Sequence, residues 1–225
     1  MAGRLYIPPF DLSSLLPDLW QPQESIISPN LAPRRPISII RQDGKRYSQA
    51  NVFWGLTPPW LKVLDHAPHC ARAETLNQRA MFREAFAARR CLIGVGGIYV
   101  WQSRGASKQP YLVTRADRGP LLLAGIWCRF HTSLTEYNDS MALITVPTSP
   151  LLSALTDRLP GIIAPGDVPA WLSPATPKQR VEAQLKPAPE ELLGAFPVSK
   201  QVNDPRHQSA ACAYPIGPMQ RLTTS

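Results

Sequence analysis

A chain of 225 residues can bury one large core or two small ones. Its composition is that of an ordinary soluble globular protein, apart from 25 prolines, which predict many loops and few long helices. The net charge is +8, with 18 arginines against 6 lysines. Arginine makes bidentate contacts to phosphate and stacks on bases, so this balance points toward nucleic acid, although charge alone is equally consistent with a merely basic surface.

The first 36 residues are punctuated by prolines, carry a short helical hint in "DLSSLLPDLW" and end in "NLAPRRP". "ISIIRQDGKRY" reads as a strand, a tight turn at Asp43-Gly44 and a second strand. "NVFWGLTPPW" continues as strand and then a loop in which Pro58 and Pro59 present Trp60. Thr75 and Gln78 have capping-box spacing, predicting a helix that runs to about Arg89 with Met81, Phe82, Ala85 and Phe86 on its apolar face. Strands are predicted at about 91–101, 110–114, 120–128 and 141–147, separated by polar loops such as "QSRGASKQ" and "FHTSLTEYNDS". Two short helices follow, with first-turn prolines at Pro177 and Pro189 and a cap from Thr176. The pattern is that of an α+β fold, mostly antiparallel, with its sheet curled into a barrel and helices at the periphery. A single domain spans 1–225, with 210–225 as a loose tail.

The cysteines at 70, 91, 128 and 212 have no C-x-x-C pair and no regular spacing, which argues against a zinc ribbon or a disulfide framework and for reduced, buried thiols. "MAGRLYIPPF" lacks the apolar centre of a signal peptide, and the longest apolar run, "LLLAGIWC" from Leu121, falls well short of the roughly 18 residues of a membrane span. The expected location is therefore cytoplasmic, nucleoid-associated if the source is bacterial. "GVGG" at 94–97 is followed by a strand rather than a helix, so it reads as a close-packed strand or bulge instead of a dinucleotide loop. His66, His69 and Cys70 lie close together without a fourth neighbouring ligand and read as a polar loop. No metal or cofactor is expected.

The remaining signals are dispersed: Arg4 near the start, Arg34 and Arg35 in a loop, Trp60 in another, and Arg72 with Glu74 ahead of a helix. Arginines that hold phosphate beside an aromatic that stacks on bases are the means of gripping a single strand of nucleic acid. Trp54, Trp101 and Trp127 lie inside predicted strands and are assigned to the core, whereas Trp60, behind two prolines, is assigned to the surface.

The order of segments carries a resemblance. "M-x-GR", "NLAP", "FWGLTPPW", "ARAET" with "MFREAFAARRCLIGVGGIYVW", "KQPYLV", "LLLAGIW", "LITVPTSP", "DRLPGII" with "WL", and "PVSKQVND" occur in that order from Met1 to about Ser209. Together they resemble the SOS response-associated peptidase (SRAP) family, whose members are abasic-site processing proteins. The resemblance implies a mixed, barrel-like fold with a basic groove for single-stranded DNA. In the family a cysteine follows the initiator Met. Removal of that Met exposes the cysteine's α-amine, which attacks the aldehyde of a ring-opened abasic sugar, and its thiol closes the imine into a stable thiazolidine crosslink. The same thiol underlies the autopeptidase activity. An asparagine in "NARAET" positions the reacting groups, while a glutamate in "GxYEW" and a histidine in "HDRMP" move protons.

This chain departs from the family at all four of those positions, which hold Ala2, Cys70, Val100 and Thr156. The frames around them survive, as do Arg4, Trp60, Arg72, Glu74 and Arg158 at the positions implied to hold phosphate, shape the groove or brace the fold. Glu74 also reads as an acceptor for a neighbouring arginine. The expectation is a protein of the DNA-damage response that binds single-stranded or abasic DNA and has lost the family's hydrolase, lyase and crosslinking chemistry. Two alternatives stand beside it: a weak imine-forming lyase or crosslinker that uses the α-amine of Ala2, and a protein-interaction module in the old groove.

Overall fold

The computed structural model describes residues 3–13, 15–61, 67–105, 107–133 and 135–219. In chain order these form β1 (Leu5–Ile7), β2 (Leu19–Trp20), β3 (Ser28–Leu31), β4 (Pro36–Asp43), β5 (Arg46–Trp54), β6 (Cys70–Arg72), α1 (Ala80–Ala88), β7 (Arg90–Val95), β8 (Gly97–Arg104), β9 (Ser107–Arg115), β10 (Leu121–His131), β11 (Tyr137–Pro147), β12 (Arg158–Pro160), α2 (Val168–Leu172), α3 (Lys178–Glu182) and β13 (Leu193–Pro197), with 3₁₀ turns between several of them. The smaller sheet has the order β13-β9-β8-β1-β3, and the larger runs β12-β11-β10-β7-β4-β5-β2. β5 also meets β11 in parallel, Phe53 beside Ser140 and Trp54 beside Met141. That contact closes β4, β5, β11, β10 and β7 into a barrel, as the sequence predicts. β6 then takes over from β5 along the same edge of β11, Cys70 to Leu143 through Arg72 to Thr145.

The strands at the centre are apolar on both faces because both faces are buried. Cys91, Ile93, Val95, Leu121, Leu123, Met141 and Leu143 point into one core shared with Leu5, Ile98, Val113 and Ala195 of the smaller sheet. Their alternates Leu92, Leu122, Ala124, Ile126, Ala142 and Ile144 face outward and are covered by Phe82 and Phe86 of α1 and Trp171 and Leu172 of α2. A third cluster covers the outer face of the smaller sheet, packing Tyr99, Leu112 and Phe196 against Val198, Val202 and Cys212. No described helix is long and apolar enough to cross a membrane.

Several local expectations need correction. The Thr75–Gln78 capping box does not form. Leu76 is fully buried, which draws the chain into a 3₁₀ turn at Ala73–Thr75, the Thr75 hydroxyl bonds back to the Arg72 carbonyl at 3.3 Å, and α1 starts only after Arg79. Nor does Thr176 cap α3, whose N-cap is Pro177 without a side-chain bond. "DLSSLLPDLW" makes a single turn, in which the N–H groups of Leu15 and Leu16 both reach the Leu12 carbonyl; Pro17, lacking an N–H, cannot extend it. The supposed loops "QSRGASKQ" and "FHTSLTEYNDS" are largely hairpin, paired out to Arg104–Ser107 and His131–Tyr137. The expected loose tail is tied down as far as Met219 is described: Ala210–Ala213 is a 3₁₀ turn with Cys212 buried, and Ile216 N–H bonds to the Pro197 carbonyl.

Trp54 is core, and Trp60 is 57% exposed, both as expected. Trp101 and Trp127 are only half-buried. The Trp101 indole N–H donates to Asn203 Oδ1 at 2.8 Å, and Trp127 carries Arg41 over its ring at 4.3 Å, so each places its polar or cation-binding side at the surface. The "GVGG" stretch is close-packed strand: a Cβ on Gly97 would stand 2.8 Å from the Val113 carbonyl oxygen.

Candidate functional site

A cleft of about 540 Å³ opens where the β8–β9 hairpin faces the segment leading into β12. Val100, Trp101 and Ser103 enter from β8, Lys108 from β9, Arg72 from the end of β6, and Leu155 to Arg158 close the far wall. The local folding reasons are simple. Period-2 alternation in β6 turns Ala71 into the core and leaves Cys70 and Arg72 on the other face. The β8–β9 register sets Ser103 beside Lys108, so a hydroxyl and an ammonium share one rim. The β1–β8 ladder pairs Leu5 with Ile98, and Tyr99 N–H bonds to the Arg4 carbonyl; continued by one step, it brings Gly3 level with Val100.

The cations of the cleft are of two kinds. Arg158 is fully engaged: it makes a two-pronged pair with Glu74 (3.0 and 2.8 Å) and bonds to the hydroxyl and carbonyl of Thr145 at 3.2 and 2.7 Å. Glu74 is thus the arginine acceptor that the sequence suggests, and hydrogen bonding from Arg158 holds its carboxyl below the usual range. Arg72 and Lys108, by contrast, make no ion pair among the described residues, although Arg72 stands near enough to Glu74 to help hold its carboxyl down.

Three further positions singled out in the sequence are buried or engaged. Val100 is 3% exposed and belongs to the main core. The Thr156 hydroxyl donates to the Arg158 carbonyl at 3.0 Å. Cys70 packs against the main core, and burial pushes its thiol up to about 12. A thiol so placed holds roughly one thiolate in ten thousand at about pH 8. Alkylation of the native protein by iodoacetamide at that pH is expected to leave Cys70 unmodified over hours, as judged by peptide mass spectrometry; labelling within minutes would show a reactive thiol instead.

A match to the model described as "SOS response associated peptidase (SRAP)" covers residues 4–205. The chain belongs to the SRAP family. Among curated SRAP relatives, Abasic site processing protein YoqW of Bacillus subtilis is 28% identical over 204 residues, 89% of either chain. Abasic site processing protein YedK of Escherichia coli is 26% identical over 190 residues, 83% of this chain and 84% of its own. Abasic site processing protein HMCES of Xenopus tropicalis is 28% identical over 189 residues, 72% of this chain and 56% of that longer protein. Among solved structures, a Bacteroides thetaiotaomicron protein superimposes with a TM-score of 0.79 at 22% identity over 90% of this chain and 97% of its own. A Bordetella bronchiseptica protein gives 0.76 at 25% identity over 88% of this chain and 100% of its own.

Within this SRAP fold, the structure brings Arg72, Val100, Thr156 and Arg158 to one cleft, with Glu74 bracing Arg158. Cys70 stands two residues before Arg72 on the same strand face. Ala2 lies outside the described residues, as does His66. Arg4 is committed to bracing: one guanidinium nitrogen bonds Asn30 Oδ1 at 2.7 Å and the Val202 carbonyl at 2.6 Å, beneath Trp101 at 5.8 Å, and burial lowers its pKa. Arg34, Arg35 and Trp60 do not line the cleft. Arg34 sits in a left-handed conformation, with its N–H bonded to the Trp54 carbonyl, and Arg35 borders a separate groove with Ile27 and Arg206. Sequence reading missed Ser103 and Lys108. The signal was the residue spacing of a hairpin in what was read as a polar loop.

Proposed function

We propose that this SRAP protein grips single-stranded DNA, abasic DNA included, and does not form the thiazolidine crosslink or cleave its own chain. One observation carries the reading: the cleft keeps two cations that make no ion pair among the described residues, Arg72 and Lys108, around a wall where Val100 and Thr156 offer no group able to carry a proton near neutral pH. A thiazolidine needs an amine and a thiol on one residue, and residue 2 is alanine. The names of the curated relatives support abasic DNA as the ligand, and with that ligand go a role in DNA damage and a location in the compartment that holds DNA.

The test is one oligonucleotide carrying a single abasic site, run with and without borohydride on a denaturing gel beside a native binding gel. Native binding at low salt with no denaturation-resistant adduct is the expected result. Arg72→Ala should weaken binding across sequences and flatten the salt dependence by about one phosphate contact. An adduct without reductant would overturn the loss of chemistry. An adduct only with borohydride would favour an imine on the α-amine of residue 2, a reading supported by the β1–β8 ladder that carries Gly3 to Val100. Negligible binding even at low salt would leave the groove to a protein partner.

A further inference from the structure

We infer that a second contact for single-stranded DNA, a stacking site for its bases, occupies the wedge where β5 and β11 part. The inference rests on single-stranded DNA as the ligand of the cleft. The barrel closes between these strands only at Phe53–Ser140 and Trp54–Met141. Toward their N-terminal ends the two strands separate, and a cavity of about 760 Å³ opens between them, larger than the cleft and in the range of a ligand site. It is a different place. Asn138 borders the wedge, and Thr145, which holds Arg158 at the cleft, lies seven residues further along the same strand, about 20 Å away.

Two of the large exposed aromatics of the molecule line this wedge: Trp20 from β2, 44% exposed, and Tyr137 from the start of β11, 49% exposed. Each carries an arginine on its ring, Arg46 at 4.0 Å over Trp20 and Arg129 at 3.5 Å over Tyr137. Asp139, whose side chain is 7% exposed, sets this geometry. It accepts Arg129 through two nitrogens at 2.8 and 2.9 Å and Arg41 at 2.7 Å. Burial would raise its pKa, and the bonds from Arg129 and Arg41 outweigh that, so it stays ionised and neutralised. The carboxylate therefore does not repel a phosphate, and it holds a guanidinium over an aromatic ring.

Exposed rings held rigid beside cations are a platform for bases with a rim for phosphates. A buried ion pair alone would not require the two rings to stay open to solvent. A strand that reaches from cleft to wedge needs at least about six nucleotides at stacked spacing.

The experiment compares thymidine oligonucleotides of about 5 and about 20 nucleotides, and a long strand of the same phosphates lacking bases, by fluorescence anisotropy. Trp20→Ala and Tyr137→Ala are each expected to weaken the long thymidine strand roughly ten- to hundredfold and to leave the short and the baseless strands unchanged. Trp20→Phe and Tyr137→Phe, which keep a ring, should restore most of the affinity. If both alanine variants bind the long strand like the wild type while Arg72→Ala weakens every strand, the wedge makes no contact and only the cleft binds. If the wild type binds none of the strands, the DNA reading of the cleft fails and this inference with it.

Discussion

Replacing Arg90 by methionine is expected to cost about 3–5 kcal/mol of stability and to lower the melting temperature by roughly 6–20 °C. Arg90 is buried at the start of β7 and makes no ion pair among the described residues. Its guanidinium donates to the carbonyls of Phe86 and Ala87 in the last turn of α1 (both 2.7 Å) and to those of Trp171 and Ser173 at the end of α2 (both 2.6 Å). The last carbonyls of a helix have no partner inside it and carry the negative end of its dipole, so one buried cation satisfies two helix ends. Methionine fills a similar volume and leaves four carbonyls dry. Thermal unfolding followed by circular dichroism measures the loss. A midpoint within about 2 °C of the wild type would mean that water replaces the guanidinium at no cost. Oligonucleotide affinity well below the melt should not change, because Arg90 lies under the helices and outside the cleft.

Arg90 also illustrates what a sequence hides. In "AARRCLIG" nothing distinguishes it from Arg89, which reaches the surface and pairs with Glu84 at 2.7 Å. Which arginine turns inward is decided by α2, some eighty residues later in the chain. The central strands were legible for the opposite reason: β7, β10 and β11 are apolar on both faces, so their runs announce burial whatever covers them. Barrel closure through the Phe53–Ser140 contact, and the Glu74–Arg158 pair, join residues far apart in sequence and leave no local mark. Of the cleft, Arg72, Val100, Thr156 and Arg158 were legible because each sits in a surviving motif. Lys108 was hidden because the β8–β9 hairpin is polar enough to read as a loop. Arg4 was legible only in part: its motif leaves open whether it holds phosphate or braces the fold, and its bonds to Asn30 and Val202 show bracing.

Installing the groups that the family resemblance implies at these positions should create a covalent reaction where none is expected now. Once Met1 is removed, Ala2→Cys supplies a thiol beside the freed α-amine. The amine adds to the aldehyde of an abasic sugar and expels water as the imine forms. The thiol then adds to the imine carbon and closes a thiazolidine, with no net oxidation or reduction. With Ala2→Cys alone the crosslink should form slowly, because Val100 and Thr156 move no protons. Val100→Glu and Thr156→His together should raise its rate by about 10²–10⁴-fold. The first of these places a carboxyl at a buried position, which by itself would hold it protonated. Arg72 and Lys108, without ion pairs of their own among the described residues, oppose that and draw it back toward ionisation. The second gives up the hydroxyl's two bonds to the Arg158 backbone, to its carbonyl and, at 3.4 Å, from its N–H, a small loss beside the Glu74 pair that fixes Arg158. Adding Cys70→Asn completes the set and removes a thiol whose burial keeps it from substituting for residue 2. Denaturing gels over time, with an abasic oligonucleotide and no reductant, follow the rate. A folded triple variant that binds the oligonucleotide natively and still gives no adduct would show that the abasic sugar does not reach Val100, and the cleft would lose its place as the site descended from the family's chemistry.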